Sequence, residues 1–268
     1  MIIDAHAHLW KKQKGIINGK PVYDVGGGKS NFGGEIKQMM PPYMTDGENT
    51  AERFLANMDY AGVSGAVITQ EYIDGNQDDY LLSCKCDRIK ICAGRLKDKN
   101  LLNHLEPFEL ADKYGKFVSI DLADGDEQTA EMQKIIEMFP HLRIAIGHFG
   151  MVTRENWLEQ INLAKNENVF IESGGITWLF NSEFYPYPSA VKAINEAASI
   201  VGYEKLMWGS DYPRTMTAIT YKMSLDFIEK TTEISEENKK LILGENARKF
   251  YGFSDLPAPQ KIKNMVED

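Results

Sequence analysis

Short apolar runs alternate with amphipathic stretches along the whole chain, and this alternation is the feature that most constrains its fold. Seven runs have the length and composition of buried strands, since they are rich in Val, Ile, Leu or Phe and are bounded by Gly, Asp or Asn. The predicted strands are 2–5, 65–69, 89–93, 117–121, 143–147, 169–172 and 205–208. Strands that alternate with helices form parallel sheets, so the pattern predicts an α/β fold.

Length and charge limit the kind of molecule. No Gly/Ser linker or change of composition divides the 268 residues, so we expect a single domain over 1–268. The net charge of -9 would repel a phosphate backbone or an anionic membrane surface, so neither nucleic acid nor membrane is an expected partner.

The chain has the features of a cytoplasmic protein. Cys84, Cys86 and Cys92 are an odd number of cysteines packed into nine positions, which does not suit a disulfide framework. No apolar run approaches the ~18 residues of a membrane span. The first ten residues lack the basic and apolar regions of a signal peptide, so we expect no cleaved leader.

Residues 10–49 interrupt the alternation. Glycines and prolines punctuate this stretch, which has no helical or strand period and is longer than a usual connection in a compact domain. We expect a packed lid after strand 1 in preference to a disordered loop, because the stretch holds possible anchors in Tyr23, Phe32, Met39, Met40 and Tyr43. The same apolar residues could contact a second copy of the chain, which leaves a homo-oligomer open.

Two histidines follow the first predicted strand. Residues i and i+2 of a strand face the same way about 6.5–7 Å apart, so His6 and His8 can direct two imidazoles at one point. Imidazole is a common ligand of catalytic metals. This spacing predicts a metal site at the end of the strand.

His148 and Asp211 occupy equivalent places on other strands. His148 follows the strand at 143–147, and Asp211 follows the strand at 205–208. The carboxyl ends of parallel strands meet at one mouth if the sheet closes, so both side chains would converge there with His6 and His8. We therefore predict His148 and Asp211 as catalytic residues.

Several segments together resemble the amidohydrolase superfamily, in its amidohydrolase-2 branch. The four that carry the resemblance are IIDAHAH at 2–8, GHFG at 147–150, WGSDYP at 208–213 and GENARKFY at 244–251. Within that branch, ITQ at 68–70, DGN at 74–76 and SIDL at 119–122 are most similar to the lactonase subgroup, which includes sugar-acid lactonases and a pyrone-dicarboxylate hydrolase.

The resemblance implies a distorted (β/α)8 barrel of the TIM type, with one active site at the carboxyl ends of the strands. The sequence provides seven candidate strands where the family has eight. Either one βα unit is truncated or one strand is not visible in the sequence pattern.

The resemblance also implies one divalent metal, zinc, held by His6, His8 and Asp211. His148 would be a fourth ligand or an acid/base, and Asp121, which stands where metal-dependent relatives often have a histidine, a further ligand or a carboxylate that orients an imidazole. Some lactonases of this kind work without metal. In that case the three histidines would donate hydrogen bonds to the developing oxyanion, and Asp211 would take a proton from water.

Residues near the ends of the predicted strands are candidates for substrate binding. Arginines suit a substrate carboxylate, aromatic rings suit a cyclic substrate, and polar side chains suit its hydroxyl groups. The candidates are Arg95, Arg214, Trp208, Tyr212, Gln70 and Glu172.

The expected function is that of an enzyme acting on a small molecule. The leading hypothesis is a hydrolase that opens a lactone or related cyclic ester of a small organic acid by water attack. The alternative is a metal-dependent non-oxidative decarboxylase of an aromatic or related carboxylic acid, and a third hypothesis is a binding protein without activity. The substrate itself is set by loops, which the sequence pattern does not resolve.

Overall fold

The computed structural model of the chain describes residues 1–84, 90–93, 96–122, 125–259, 263 and 265. The strands are β1 (Ile3–Ala7), β2 (Lys14–Ile17), β3 (Lys20–Gly26), β4 (Lys29–Phe32), β5 (Glu35–Gln38), β6 (Gly65–Ile68), β7 (Lys90–Cys92), β8 (Phe117–Asp121), β9 (Arg143–Ile146), β10 (Val169–Glu172) and β11 (Leu206–Met207). The helices are α1 (Ala51–Ala61), α2 (Asp78–Ser83), α3 (Glu106–Lys113), α4 (Gly125–Met138), α5 (Trp157–Asn162), α6 (Ile176–Leu179), α7 (Pro188–Val201), α8 (Met223–Lys230), α9 (Glu236–Lys240) and α10 (Asn246–Tyr251).

Seven parallel strands in the described residues form the wall of an α/β barrel of the TIM type. β7 to β11 make one ladder in chain order, and β1 pairs with β6. The backbone N–H of Ala5 donates to the carbonyl of Trp208 at 2.9 Å, and that of Asp211 donates to the carbonyl of His6 at 2.8 Å. These bonds join β1 to the segment after β11 and make the wall continuous from β6 to β7.

The barrel is distorted where β6 and β7 would meet. No ladder joins these two strands within the part of the chain that the structure describes. Residues 85–89, which precede β7, lie outside the described residues. The sequence is compatible with seven or eight barrel strands. The described residues contain seven, β1 and β6 to β11.

The interior of the barrel is apolar at the amino ends of the strands. Ile3 and Ala5 pack there with Val67, Ala145 and Met207. A second and larger apolar layer lies between the strands and the helices and includes residues such as Val118, Ile144 and Ile171. No helix among the described residues is long and apolar enough to span a bilayer.

Residues 14–38 form an antiparallel sheet of four strands, β2 to β5, in chain order. The expectation that this stretch lacks regular structure is wrong. Most of its side chains are at least partly exposed, so no apolar alternation marks the strands, and glycines occupy the tight turns between them. Met39 and Met40 are buried beneath the sheet, whereas Tyr23 and Tyr43 are exposed.

The four-stranded sheet is docked on the loop that follows β6. The backbone N–H of Ile16 donates to the carbonyl of Tyr72 at 2.8 Å, and that of Lys14 donates to the carbonyl of Asp74 at 3.2 Å. Gly75 makes this approach possible, because a Cβ at its position would lie 2.0 Å from the carbonyl oxygen of Lys14.

Asp4 ties β1 to the segment after β11. Its Oδ1 accepts hydrogen bonds from the backbone N–H groups of His6 at 3.0 Å and Ser210 at 2.8 Å. Its Oδ2 accepts from the hydroxyl groups of Ser210 at 2.5 Å and Tyr221 at 2.8 Å. Complete burial raises the pKa of Asp4 to about 6, although all of these bonds act in the opposite direction.

The Tyr221 hydroxyl should stabilise the fold more at high pH than at low pH. Because the pKa of Asp4 is higher in the folded than in the unfolded chain, its contribution to stability falls as the pH rises from about 4 through about 6. A bond to the ionised carboxylate is worth more than one to the neutral acid. Tyr221→Phe should therefore lower the free energy of unfolding by roughly 1.5–3 kcal/mol at pH 8 and by less at pH 5.

Urea unfolding at the two pH values measures this difference. Tyr187→Phe is the matched control, since Tyr187 is also buried but does not contact Asp4. An equal loss of stability at pH 5 and pH 8 for Tyr221→Phe would contradict the prediction.

Gly75→Ala should undock the four-stranded sheet. Gly75 has φ of 79° and faces the Lys14 carbonyl, while Gly19 has φ of 74° and no atom within 4 Å of its virtual Cβ. Both substitutions carry the left-handed backbone penalty of about 1 kcal/mol. Only Gly75→Ala adds a clash with backbone, so it should cost roughly 2–3 kcal/mol more.

Thermal unfolding and hydrogen exchange of residues 14–38 report the effect. We expect faster exchange in β2 of Gly75→Ala than in Gly19→Ala. Equal exchange in both variants would show that the contact with Lys14 does not hold the sheet in place.

Candidate active site

A β-bulge in β1 turns the two histidines into the barrel. Asp4 pairs with Ala66 and Ala7 pairs with Ile68, so β1 has one residue more than β6 over this interval. The extra residue reverses the alternation of the strand. Ile3 and Ala5 face the interior before the bulge, and His6 takes the interior position after it. The predicted strand 2–5 therefore overlaps β1 at Ile3–Ala5, and β1 continues through His6 to Ala7.

Each imidazole is held by a buried carboxylate on its Nδ1 atom. Glu172 Oε1 lies 2.7 Å from His6 Nδ1, and Asp74 Oδ2 lies 2.9 Å from His8 Nδ1. All four side chains are almost completely buried. A carboxylate only accepts hydrogen bonds, so both Nδ1 atoms carry the proton. In the neutral rings both Nε2 atoms then carry lone pairs in a fixed orientation, the state in which an imidazole can bind a metal.

The two Nε2 atoms and one oxygen of Asp211 face each other. His6 Nε2 lies 3.1 Å from His8 Nε2, and Asp211 Oδ1 lies 3.6 Å and 3.4 Å from these atoms. Three lone-pair donors at these distances require a positive charge among them. Two imidazole nitrogens and one carboxylate oxygen are a ligand set that fits a divalent metal such as zinc, with a position left open for water.

Asp211 is oriented by its backbone and by Trp178. Its φ of 56° is unusual for a residue other than glycine, as is the φ of 48° at His148, and such values concentrate at functional sites. The indole N–H of Trp178 donates to Asp211 Oδ2 at 2.7 Å. This bond occupies one oxygen and leaves Oδ1 directed at His6 and His8.

The carboxylates of the site have shifted pKa values. Burial raises the pKa of Asp211, but when the neighbouring rings are protonated, the hydrogen bond from His8 and the charges of His148, His6 and His8 outweigh it, so its pKa lies below the usual value. Burial raises the pKa of Asp74 above the usual value, although His8 acts against this. Asp211 is therefore ionised at neutral pH and available to a metal or a proton.

His148 forms a separate pair with Asp121 beside the three converging atoms. Its Nδ1 lies 2.6 Å from the carbonyl oxygen of Gly174 and must donate to it. Its Nε2 lies 3.3 Å from Asp121 Oδ2, and a hydrogen bond there requires a second proton on the ring. The rings of His148 and His6 are 5.0 Å apart. This geometry suits His148 as a proton donor, with Asp121 behind it.

Glu172 is a support for His6. It is completely buried, and its Oε2 accepts from the backbone N–H of Gly174 at 2.6 Å. A Cβ at Gly174 would lie 2.4 Å from His6 Nδ1, so only glycine fits beside the imidazole. The structure therefore places Glu172, predicted as a substrate-binding residue, in contact with His6 Nδ1 and the Gly174 backbone.

The two aromatic candidates near Asp211 lie in the core. Trp208 is fully buried and donates its indole N–H to the carbonyl of Ser224 at 2.8 Å. Tyr212 is 1% exposed and packs against Phe54, with ring centroids 4.6 Å apart. Both rings, predicted to bind substrate, are thus packed among other buried side chains.

The polar candidates have different surroundings. Arg214 is exposed, and its guanidinium lies 3.8 Å from the ring centroid of Trp178. Gln70 binds within its own loop, where its Oε1 accepts from the backbone N–H of Gln77 at 2.8 Å. Arg95 lies outside the described residues.

Sequence reasoning assigned no site role to Asp74 and did not connect Trp178 to Asp211. Asp74 begins the segment Asp-Gly-Asn, whose composition is typical of a turn. The sequence therefore does not indicate that its carboxylate supports His8. The available signal was its place six residues after Ile68, where β6 ends. Glu71 lies in the same loop, and its Oε1 is 4.0 Å from His8 Nε2.

Solved structures with the same fold include proteins from three bacteria. An amidohydrolase from Burkholderia multivorans with bound zinc has a TM-score of 0.67 and 13% identity, over 96% of this chain and 100% of that chain. A probable 2-pyrone-4,6-dicarboxylic acid hydrolase from Acinetobacter baumannii has a TM-score of 0.66 and 16% identity, over 94% and 99%. A 5-carboxyvanillate decarboxylase from Sphingomonas paucimobilis has a TM-score of 0.52 and 15% identity, over 78% and 84%.

The family relationship rests on the sequence as well as on the fold. No curated protein matches the chain. The family model described as Amidohydrolase matches residues 104–253, which is more than half of the chain and includes His148 and Asp211. With its barrel and its converging His6, His8 and Asp211, this chain belongs to the amidohydrolase family of enzymes.

Proposed function

We propose that this protein is a hydrolase that opens a lactone or a related cyclic ester of a small organic acid by attack of water, with one divalent metal, zinc, held by His6, His8 and Asp211. The convergence of two Nε2 atoms and Asp211 Oδ1 carries this proposal. The similarity to a probable pyrone-dicarboxylate hydrolase and to a zinc-containing amidohydrolase supports it.

The residues of the site divide the proton transfers between them. When bound, the metal would lower the pKa of a water molecule and polarise the carbonyl of the substrate. The carboxylate of Asp211 takes the proton of the attacking water, whose oxygen bonds to the carbonyl carbon. As the ring C–O bond breaks, His148 Nε2 gives its proton to the leaving alkoxide, and Asp121 stabilises the protonated imidazole until then.

Recognition of the acid group is assigned to arginine. Arg214 is exposed beside the site, and Arg95 follows the strand β7, so both are proposed to bind a substrate carboxylate, with Gln70 near its hydroxyl groups. We further propose a cytoplasmic enzyme of one domain over 1–268, with residues 10–49 as its lid and with homo-oligomer formation compatible with the exposed Tyr43.

A decarboxylase is the second candidate. It is favoured by the similarity to a 5-carboxyvanillate decarboxylase and by the same metal-ligand set. In that reaction the metal would hold substrate oxygens, and His148 would deliver a proton to the carbon that loses CO₂.

Isotope labelling of the products separates the two reactions. The protein is incubated with a panel of carboxylated lactones and aromatic acids in ¹⁸O-water and in D₂O. We expect ¹⁸O in the new carboxylate of an opened lactone, while deuterium on carbon with release of CO₂ would establish decarboxylation instead.

Asp211→Asn should lose turnover by about 10³-fold or more and remain folded, because its neutral amide takes no proton. Near wild-type kcat in this variant would reject the assigned role.

Metal content tests the proposed ligands directly. Protein purified without a histidine tag should contain about one equivalent of zinc or manganese by mass spectrometry, and chelation should abolish activity. His8→Ala should lose the metal, while His141→Ala, which changes an exposed histidine, should keep it. Protein that is active and free of metal would favour the scheme in which His6, His8 and His148 bind the oxyanion.

A further inference from the structure

We propose that Trp178 is a positioning residue that couples recognition of a substrate carboxylate at Arg214 to the orientation of Asp211. This inference deepens the proposed function and rests on it. One indole ring contacts the carboxylate that completes the metal site, the histidine that donates the proton, and the exposed guanidinium beside them.

The fold places Trp178 between the mouth and the metal ligands. It lies in α6, which follows β10 after Ser173, Gly174 and Gly175. A Cβ at Gly175 would lie 1.8 Å from the indole nitrogen of Trp178, so the ring passes directly over a residue that must be glycine. Trp178 is half-buried, with one edge inside the site and one face toward solvent.

The inner edge of the indole fixes the two oxygens of Asp211. The N–H group donates to Oδ2 at 2.7 Å, while Oδ1 faces His6 Nε2 and His8 Nε2. Without this donor the carboxylate could rotate about its Cβ–Cγ bond and exchange its oxygens. Groups that orient a metal-binding carboxylate in this way affect metal affinity by about 10- to 100-fold.

The outer face of the indole holds Arg214. The guanidinium carbon lies 3.8 Å from the ring centroid, which is close contact for a cation–π pair. Within the described residues, Arg214 makes no ion pair with a carboxylate. Stacking fixes the plane of the guanidinium and leaves its N–H groups free to bind a carboxylate with two parallel bonds.

Contact with His148 adds a third reason for this role. The rings of Trp178 and His148 meet edge to face with centroids 5.5 Å apart. The indole therefore limits the movement of both proposed proton-transfer groups. A substrate whose carboxylate binds Arg214 presses on the ring that holds Asp211 and His148, so an anionic group at this distance from the reacting carbonyl is the specificity we assign to the site.

Two binding measurements test the coupling without turnover. Zinc affinity is measured by competition with a chelator, and carboxylate binding is measured by calorimetry with isophthalate, a rigid aromatic dicarboxylate. Trp178→Phe should weaken zinc binding about tenfold and isophthalate binding about threefold. Arg214→Met should weaken isophthalate binding about tenfold and leave zinc affinity within about twofold.

A double variant and two controls make the result specific. Trp178→Phe with Arg214→Met should bind isophthalate no more weakly than Arg214→Met alone, because the ring acts through the arginine. Trp157→Phe is the matched control, since Trp157 is also half-buried but packs on Phe149, and it should change neither affinity. Replacing Trp178 by benzothienylalanine removes the N–H and keeps the ring, so it should weaken only zinc binding.

The outcomes separate this inference from the proposed reaction. Unchanged zinc affinity in the benzothienylalanine variant would overturn the positioning role, and additive losses of isophthalate affinity in the double variant would overturn the coupling. A wild-type protein without zinc affinity would overturn both the metal site and this inference. A protein that opens no lactone but shows the expected affinities would reject the lactonase and leave the role of Trp178 standing.

Discussion

The site depends on two hydrogen bonds between buried imidazoles and buried carboxylates. Glu172 holds His6, and Asp74 holds His8, each at an Nδ1 atom and each out of contact with water. Burial of two carboxylates is costly unless each is paired. The pairing fixes which nitrogen of the neutral ring carries the proton, so the other nitrogen of each neutral ring faces Asp211 with its lone pair.

The backbone brings these groups together through two local irregularities. The bulge in β1 moves His6 to the interior without breaking the strand, and the left-handed conformation of Asp211 turns its side chain back toward β1. Asp4 connects the two places, because it accepts from the N–H of His6 and from Ser210, the residue before Asp211. Fold stability and site geometry therefore share one buried carboxyl group.

The sequence predicts which side chains converge better than it predicts the residues that support them. His6, His8, His148 and Asp211 each stand near the carboxyl end of an apolar run, and a parallel sheet brings such ends together whatever its details. The core position of Trp208 follows from alternation with the interior Met207, but the contact of Trp178 with Asp211 depends on packing between residues 33 positions apart. The strands of residues 14–38 are not predicted from the sequence. Apolar and polar residues alternate along a strand only when one of its faces is buried, and most side chains of these strands are at least partly exposed.

The loop after β6 contacts both the four-stranded sheet and His8. One side of residues 71–74 bonds to strand β2 of the four-stranded sheet, and the other side carries the carboxylate that holds His8. A swing of that sheet away from the barrel would pull on the loop and release the imidazole. The position of the four-stranded sheet and the orientation of one imidazole in the site therefore depend on the same short loop.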